Sequence, residues 1–222
     1  MDLRPQWFQA EPGFQSSMPP GARAGACARD ETMVLAALFR RHTRRQTAAV
    51  AALYAGIVAQ ARRPEFFTAL GVPDSLDGRF ETLALHAFLV LSRLKAEPAL
   101  AARDLAQGLF DALFADMDRS LREMGATDLG VGRRVKAMAQ GLYGRMQAYD
   151  QGLKEGDAIL EAALERNLYG TVAEPLGATL ASVGRYLRRQ RRALAEQPFA
   201  ELQAGRVVFL PVAPAASEHA PP

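Results

Sequence analysis

Three histidines, one cysteine and a set of regularly spaced carboxylates are the residues of this 222-residue chain whose types could do chemistry. Nucleophilic and acid–base catalysis needs a histidine, thiol or carboxylate oriented by a neighbour. His42 lies in a basic stretch, His219 near the C-terminus and His86 in an apolar run, where a packed, hydrogen-bonded core histidine is expected. No triad can be assembled from them. A di-metal bundle site needs Glu three residues before His on two helices, and none of these histidines has one. Cys27 alone can neither close a disulfide within the chain nor complete a zinc site, which fits a reducing compartment and points to the cytoplasm. Ser92-Arg93-Leu94-Lys95 matches Ser-x-x-Lys but lacks the companion motifs that give it meaning. Gly130-Val131-Gly132 has no preceding strand and no third glycine at phosphate-loop spacing, so it reads as an interhelical turn. The chain is therefore read as non-catalytic, with no cofactor and no metal.

The charged residues carry more pattern. Asp104, Asp111 and Asp118 recur every seven residues and share one face of any helix that contains them. Arg122 follows Asp118 by four and can pair with it, so this stripe is either a solvated, salt-bridged face or a binding surface. Asp116 projects elsewhere, which makes Asp116-Met117-Asp118 a poor metal site on a helix. Arg185, Arg188, Arg189 and Arg192 stand at i, i+3, i+4 and i+7 and form a basic ridge. Such a ridge could meet RNA or lipid phosphates or an acidic protein, or simply be a helix end favoured by its dipole. With Arg40, Arg41, Arg44 and Arg45, these clusters matter more than the formal net charge of +3.

The elements that must position these residues are helical. The chain is 49% hydrophobic and 23% charged, rich in Ala, Leu, Arg and Glu, and nearly free of alternating patterns. An all-α fold follows, a single compact bundle of about seven helices with irregular tails. Of the thirteen prolines, only Pro64, Pro73, Pro98 and Pro175 fall between residue 32 and Pro198. Residues 1–32 read as a disordered N-terminal tail with Met33 as an alternative start, 33–204 as the helical domain, and 205–222 as a C-terminal tail. Within that tail Arg206 to Val212 reads equally as a surface extended segment or an added edge strand. No secretory h-region is visible, and the longest uncharged apolar run, Thr82 to Leu91, is about half of the ~20 residues a membrane span needs.

Thr43 and Gln46 form a capping box before a helix through Val50, Leu53, Tyr54, Ile57 and Val58. Pro64 opens a short helix through Phe66 and Phe67. Phe80, Leu83, Ala84, Ala87, Phe88 and Leu91, widened by Leu85 and Leu89, predict a central helix buried on most sides. Leu109, Leu113, Met117 and Leu121 trace a long helix stopped by Gly125, and Val131, Val135, Met138, Leu142, Met146 and Tyr149 trace its hairpin partner. Asp157 caps a further helix, and Pro175 opens a last one through Leu180, Val183, Leu187 and Leu194.

Two stretches are more specific than any of these motifs: FFTALGVPDSLDGRFETLALHAFLVLSRL from Phe66 to Leu94, and the segments LFDALFADMDRSLREMG, DLGVGRRVKAMAQGLYGR and AYD between Asp104 and Asp150. They resemble the ubiquinol-cytochrome c chaperone family over about half the chain, more weakly through ALERNLYG and not in the tails. The resemblance implies a non-enzymatic assembly chaperone that binds newly made cytochrome b or an intermediate of the cytochrome bc complex, respiratory complex III, and the Arg- and Ala-rich style without a visible mitochondrial presequence points to a bacterial member. It also implies a small helper protein or the ribosome as further partners, peripheral contact with the inner membrane, and no DNA. By resemblance, Asp116, Asp118, Leu121, Arg122, Glu123, Gly125, Asp128, Gly144, Arg145 and Tyr149 mark the family's shared surface and turn; the client-binding candidates are Asp111, Asp116, Asp118, Arg122, Glu123, Asp128, Arg145 and Tyr149. Ala126-Thr127, where Val-Gly is more usual, and the helix-interior Gly141 depart from the pattern. The alternative is an RNA- or ribosome-binding helical adaptor that uses the arginine ridge.

Overall fold

The run from Ala84 to Leu91 has no solvent face, because all eight of its side chains are buried. Only an element covered from several directions can hold such a sequence, and each fully buried leucine there contributes roughly 1.5–3 kcal/mol. This run is the middle of α3, Leu76–Lys95. The structure, a computed structural model, describes residues 46–123, 125, 128–172 and 177–212. The chain divides into two units, 1–48 and 49–222; of the first, only residues 46–48 are described, and they are helical.

In the second unit, α1 covers 49–61, followed by α2 (Glu65–Thr68), α3, α4 (Leu100–Glu123), α5 (Asp128–Glu155), α6 (Asp157–Leu168), α7 (Gly177–Glu196) and α8 (Phe199–Gln203). Helices α4, α5, α6 and α7 all pack on α3, and α4 with α5, α5 with α6 and α6 with α7 are neighbours. The expected all-helical bundle with α3 at its centre is what forms, and among the described residues there is no strand. No described helix is long and apolar enough to cross a membrane.

Ser75 caps α3 by accepting from the Gly78 N–H at 3.1 Å. Gly125 ends α4 at φ 84, a left-handed conformation that favours glycine, and its N–H bonds the Arg122 carbonyl at 2.9 Å. The α4–α5 hairpin closes through the stacked rings of Phe110 and Tyr143, 5.4 Å apart. Gly130 to Gly132, expected as an interhelical turn, lies instead within α5. Two glycines weaken a helix without breaking it when the residue between them is anchored, and Val131 is fully buried. At the α5–α6 corner, a Cβ on Gly152 would come within 2.5 Å of the Leu160 Cα, so the two backbones can meet only at glycine. Asp157 does not cap α6; Gly156 holds that position at φ 137, and Asp157 sits in the first turn.

Residues 206–212 are neither a free surface segment nor a ladder strand. They run extended across α7, held by glutamine side chains, and Val212 is buried at 6% exposure. The N-terminal tail, the Thr43 capping box, Cys27, His42, Pro175 and His219 lie outside the described residues, as does the Ala126-Thr127 departure.

Candidate functional site

α1, the first turns of α3, the C-terminal half of α4, the N-terminal half of α5 and the end of α6 do not close on one another. Between them lies an open groove of about 860 Å³. Its floor is apolar, with Tyr54, Val58, Phe80, Leu83, Met117 and Met138 among its lining. Methionine side chains adapt to irregular apolar surfaces, so this floor suits shapes that are not fixed in advance. Its rim is charged, carrying Arg62, Asp77, Arg79, Asp116, Arg134 and Arg166, with Glu81 and Arg145 deeper.

Glu81 and Arg145 form a largely buried ion pair within the groove. The Arg145 guanidinium meets the Glu81 carboxylate through two hydrogen bonds, one from Nε to Oε2 at 2.6 Å and one from Nη2 to Oε1. The glutamate side chain is 8% exposed and the arginine 24%. Burial pushes the Glu81 carboxyl up, and the Arg145 guanidinium pulls it part of the way back. Arg145 also lies over the Phe80 ring, 5.5 Å from its centroid. A Cβ on Gly141 would come within 2.8 Å of the Arg145 Nη1, which explains the glycine in the helix interior: it leaves room for the guanidinium. On the opposite wall, Tyr54 donates to Asp116 at 2.7 Å and Arg119 donates to the same carboxylate at 2.6 Å.

Of the client-binding candidates the groove gathers Asp116 and Arg145, and of the other residues of the family's shared surface it gathers Leu121. Asp111 is exposed and accepts from Gln107 at 2.8 Å. Asp118 pairs with Arg122 at 2.7 Å on the outer side of α4, and Glu123 is exposed; none of the four lines the groove. Tyr149 is fully buried, its ring tilted against Phe88 at 5.6 Å, so it packs the core beneath the groove. Asp128 opens α5.

The arginine ridge on α7 is largely engaged within the fold. Arg188 donates to Asp157 at 2.6 Å and to the Leu153 carbonyl at 3.1 Å, Arg189 to the Pro211 carbonyl at 2.7 Å, and Arg185 to Ser182 at 2.9 Å. Only Arg192, exposed, shows none of these bonds. Helical spacing predicted a shared ridge correctly but not that α5, α6 and the C-terminal segment would occupy it. Nothing in this arrangement supports the RNA-adaptor alternative, since two of the four cations, Arg188 and Arg189, are tied to Asp157 and to backbone carbonyls.

His86 is wholly buried. Its Nδ1–H donates to the Thr82 carbonyl at 2.7 Å, because a carbonyl can only accept. Burial holds the ring neutral, pushing its pKa down to about 4. Nε2 therefore accepts from the Tyr186 hydroxyl at 2.8 Å, and that oxygen accepts from Gln60 at 2.9 Å. Phe66, Tyr186 and Phe209 set their rings edge-on around it, with centroids 5.1 to 5.8 Å away. This is a structural histidine at the junction of four segments.

Residues 68–209 match the family model described as ubiquinol-cytochrome C chaperone. The chain is 28% identical over 116 residues to ubiquinol-cytochrome-c reductase complex assembly factor 1 of Xenopus laevis, covering 52% of this chain and 58% of that one. It is 29% identical over 148 residues to the mitochondrial protein CBP3 of Saccharomyces cerevisiae, covering 66% of this chain and 44% of that one. The chain thus spans about half the length of the curated relatives it matches. Its structure superposes on the crystal structure of the Cbp3 homolog from Brucella abortus with a TM-score of 0.72 at 38% identity, covering 80% of this chain and 97% of that one.

Proposed function

Because this chain belongs to the ubiquinol-cytochrome c chaperone family, we propose that it is a non-catalytic assembly chaperone of the cytochrome bc complex and that its client is held in the groove between α1, α3, α4, α5 and α6. The client in this reading is newly made cytochrome b or an assembly intermediate that contains it. The observation that carries the reading is the open apolar floor itself. A folded chain leaves about 860 Å³ lined by Val58, Phe80, Leu83, Met117 and Met138 uncovered only at a cost in burial, and a partner with exposed apolar surface offsets that cost. A small helper protein or the ribosome would meet other faces. Contact with a membrane-embedded client would be peripheral, since no described helix can span a bilayer.

The test is capture of cytochrome b from detergent-solubilised native membranes by the full chain and by Ala137→Trp. Ala137 is exposed and lines the groove, so an indole there fills the space without displacing a core residue. Capture should fall at least about fivefold with the thermal melt unchanged. Undiminished capture by a folded Ala137→Trp would remove the groove from the reading.

A further inference from the structure

The carboxylates and guanidiniums of the groove are unequally satisfied. Asp116 is held by Tyr54 and Arg119, Glu81 by Arg145, and Arg79 by Asp74 at 2.7 Å. Arg62, Arg134 and Arg166 line the same groove, are exposed, and their guanidiniums have no hydrogen-bond or ion-pair partner among the described residues. Against them stands one lining carboxylate in the same condition, Asp77. The charge left for an occupant to answer is therefore positive.

These cations do not converge on one point. Arg62 follows the end of α1, Arg134 stands in the second turn of α5, and Arg166 lies in the last turn of α6, six residues past the Leu160 that meets Gly152 near the far end of α5. A single phosphate headgroup needs its cations gathered around one anion, and this arrangement spreads them along an apolar trough. Ala137, which lines the groove between Arg134 and Arg145, keeps the wall of α5 low so that another backbone can come close.

Building on the client-binding reading above, we propose that the groove takes an amphipathic helical segment of the client whose apolar face lies on the floor and whose acidic residues, spaced along its length, meet Arg62, Arg134 and Arg166. The occupant class is an apolar-faced helix with a negative, not a positive, polar side. The cations select among apolar helices that the floor alone would accept alike.

Three fluorescein-labelled 18-residue helical peptides with the same Leu and Ala face, and with Glu, Gln or Lys at the polar positions, test this by fluorescence anisotropy on the full chain. The Glu peptide should bind at least about tenfold tighter than the Lys peptide, and the difference should shrink as salt is raised to 0.5 M. In the variant Arg62→Gln/Arg134→Gln/Arg166→Gln, all three exposed and outside the core, the preference should vanish while the Gln peptide binds as before. Ala137→Trp should weaken all three peptides. Equal binding of Glu and Lys peptides, or a preference that survives the triple variant, overturns the proposal. Displacement of the Glu peptide by vesicles of anionic phospholipid, but not by the unlabelled peptide, overturns it in favour of a lipid site. If the peptides are not discriminated while Ala137→Trp still loses cytochrome b, only the acidic-helix inference fails; if Ala137→Trp keeps cytochrome b, the client reading fails with it.

Discussion

The side-chain amide of Gln190 pairs with the backbone of Leu210 at both ends, donating to its carbonyl at 2.7 Å and accepting from its N–H at 2.9 Å. One fully buried glutamine on α7 thus does for the C-terminal segment what a neighbouring strand would do. Gln60 reaches the same carbonyl at 3.4 Å, and Gln197 accepts from the Val208 N–H at 3.4 Å and donates to the Arg206 carbonyl at 3.2 Å.

Gln190→Leu should leave both Leu210 groups without this partner. Unsatisfied buried polar groups cost about 1–3 kcal/mol each, so a loss of about 2 kcal/mol in urea unfolding is expected, with faster proteolysis near Arg206 before global unfolding. Truncation before Val207 should be worse, because it also removes the Phe209 ring from His86, 5.4 Å away, and uncovers the core beside Val212. A truncated chain that melts with the full one would contradict this.

The same segment shows where the sequence was legible and where it was not. α3 could be read because its burial is local, written in consecutive leucines and alanines. The α7 stripe could be read through Leu180, Val183, Leu187 and Leu194, and its one gap falls at Gln190 and Arg191. That gap was the available signal: a polar residue at a core position needs a polar partner, and here the partner lies twenty residues downstream. No periodicity within 206–212 records it, so the segment read as surface or edge strand. The groove was hidden for a related reason. Leu83 and Met138 obey the same spacing as core residues, and only the packing of five helices leaves them partly uncovered. Gly141 was visible as an anomaly, and its cause, room for Arg145, needed the Glu81 partner from 64 residues away.

His86 makes stability depend on acid. Its folded pKa of about 4 lies below the ordinary histidine value of 6.5, so the unfolded chain binds a proton the folded chain refuses across that interval. The contribution is complete above pH 6.5 and is lost progressively as pH falls toward 4, to about 3 kcal/mol in all. Guanidinium unfolding of the parent and His86→Gln at pH 7.5, 6, 5 and 4 should show the parent losing more between the first and last than the variant. At pH 7.5 the variant should be less stable by about 1–2 kcal/mol, since an amide can replace both bonds only with altered geometry. Parallel pH profiles would show that another group dominates.

Arg145→Met should be among the costliest single changes near the groove. It leaves Glu81 buried beside Phe80 without its counter-charge, a loss of about 3–5 kcal/mol at neutral pH. Adding Glu81→Gln to Arg145→Met should recover more than half of that, because the stranded charge and not the missing contact is the main cost. The single variant should also regain stability as pH is lowered and Glu81 takes a proton. A double variant no better than the single one would place the cost in packing against Phe80.

The outer face of α4 supplies the contrast. Asp118 and Arg122 are 39% and 49% exposed and pair at 2.7 Å across one helical turn, so charge reversal of both should change the melting free energy by less than about 1 kcal/mol. The acidic stripe and the resemblance both marked this pair for client binding, but it does not line the groove, whereas Asp116 two residues earlier does. Cytochrome b capture by Asp118→Arg/Arg122→Asp should therefore match the parent. Capture by Asp116→Asn, which weakens the bonds from Tyr54 and Arg119 that shape the groove wall, should fall measurably. Each variant is read by capture from solubilised membranes with a melt alongside. If the reversal on the outer face abolishes capture while Asp116→Asn is silent, the binding surface is the exposed stripe of α4 and the groove is not where the client sits.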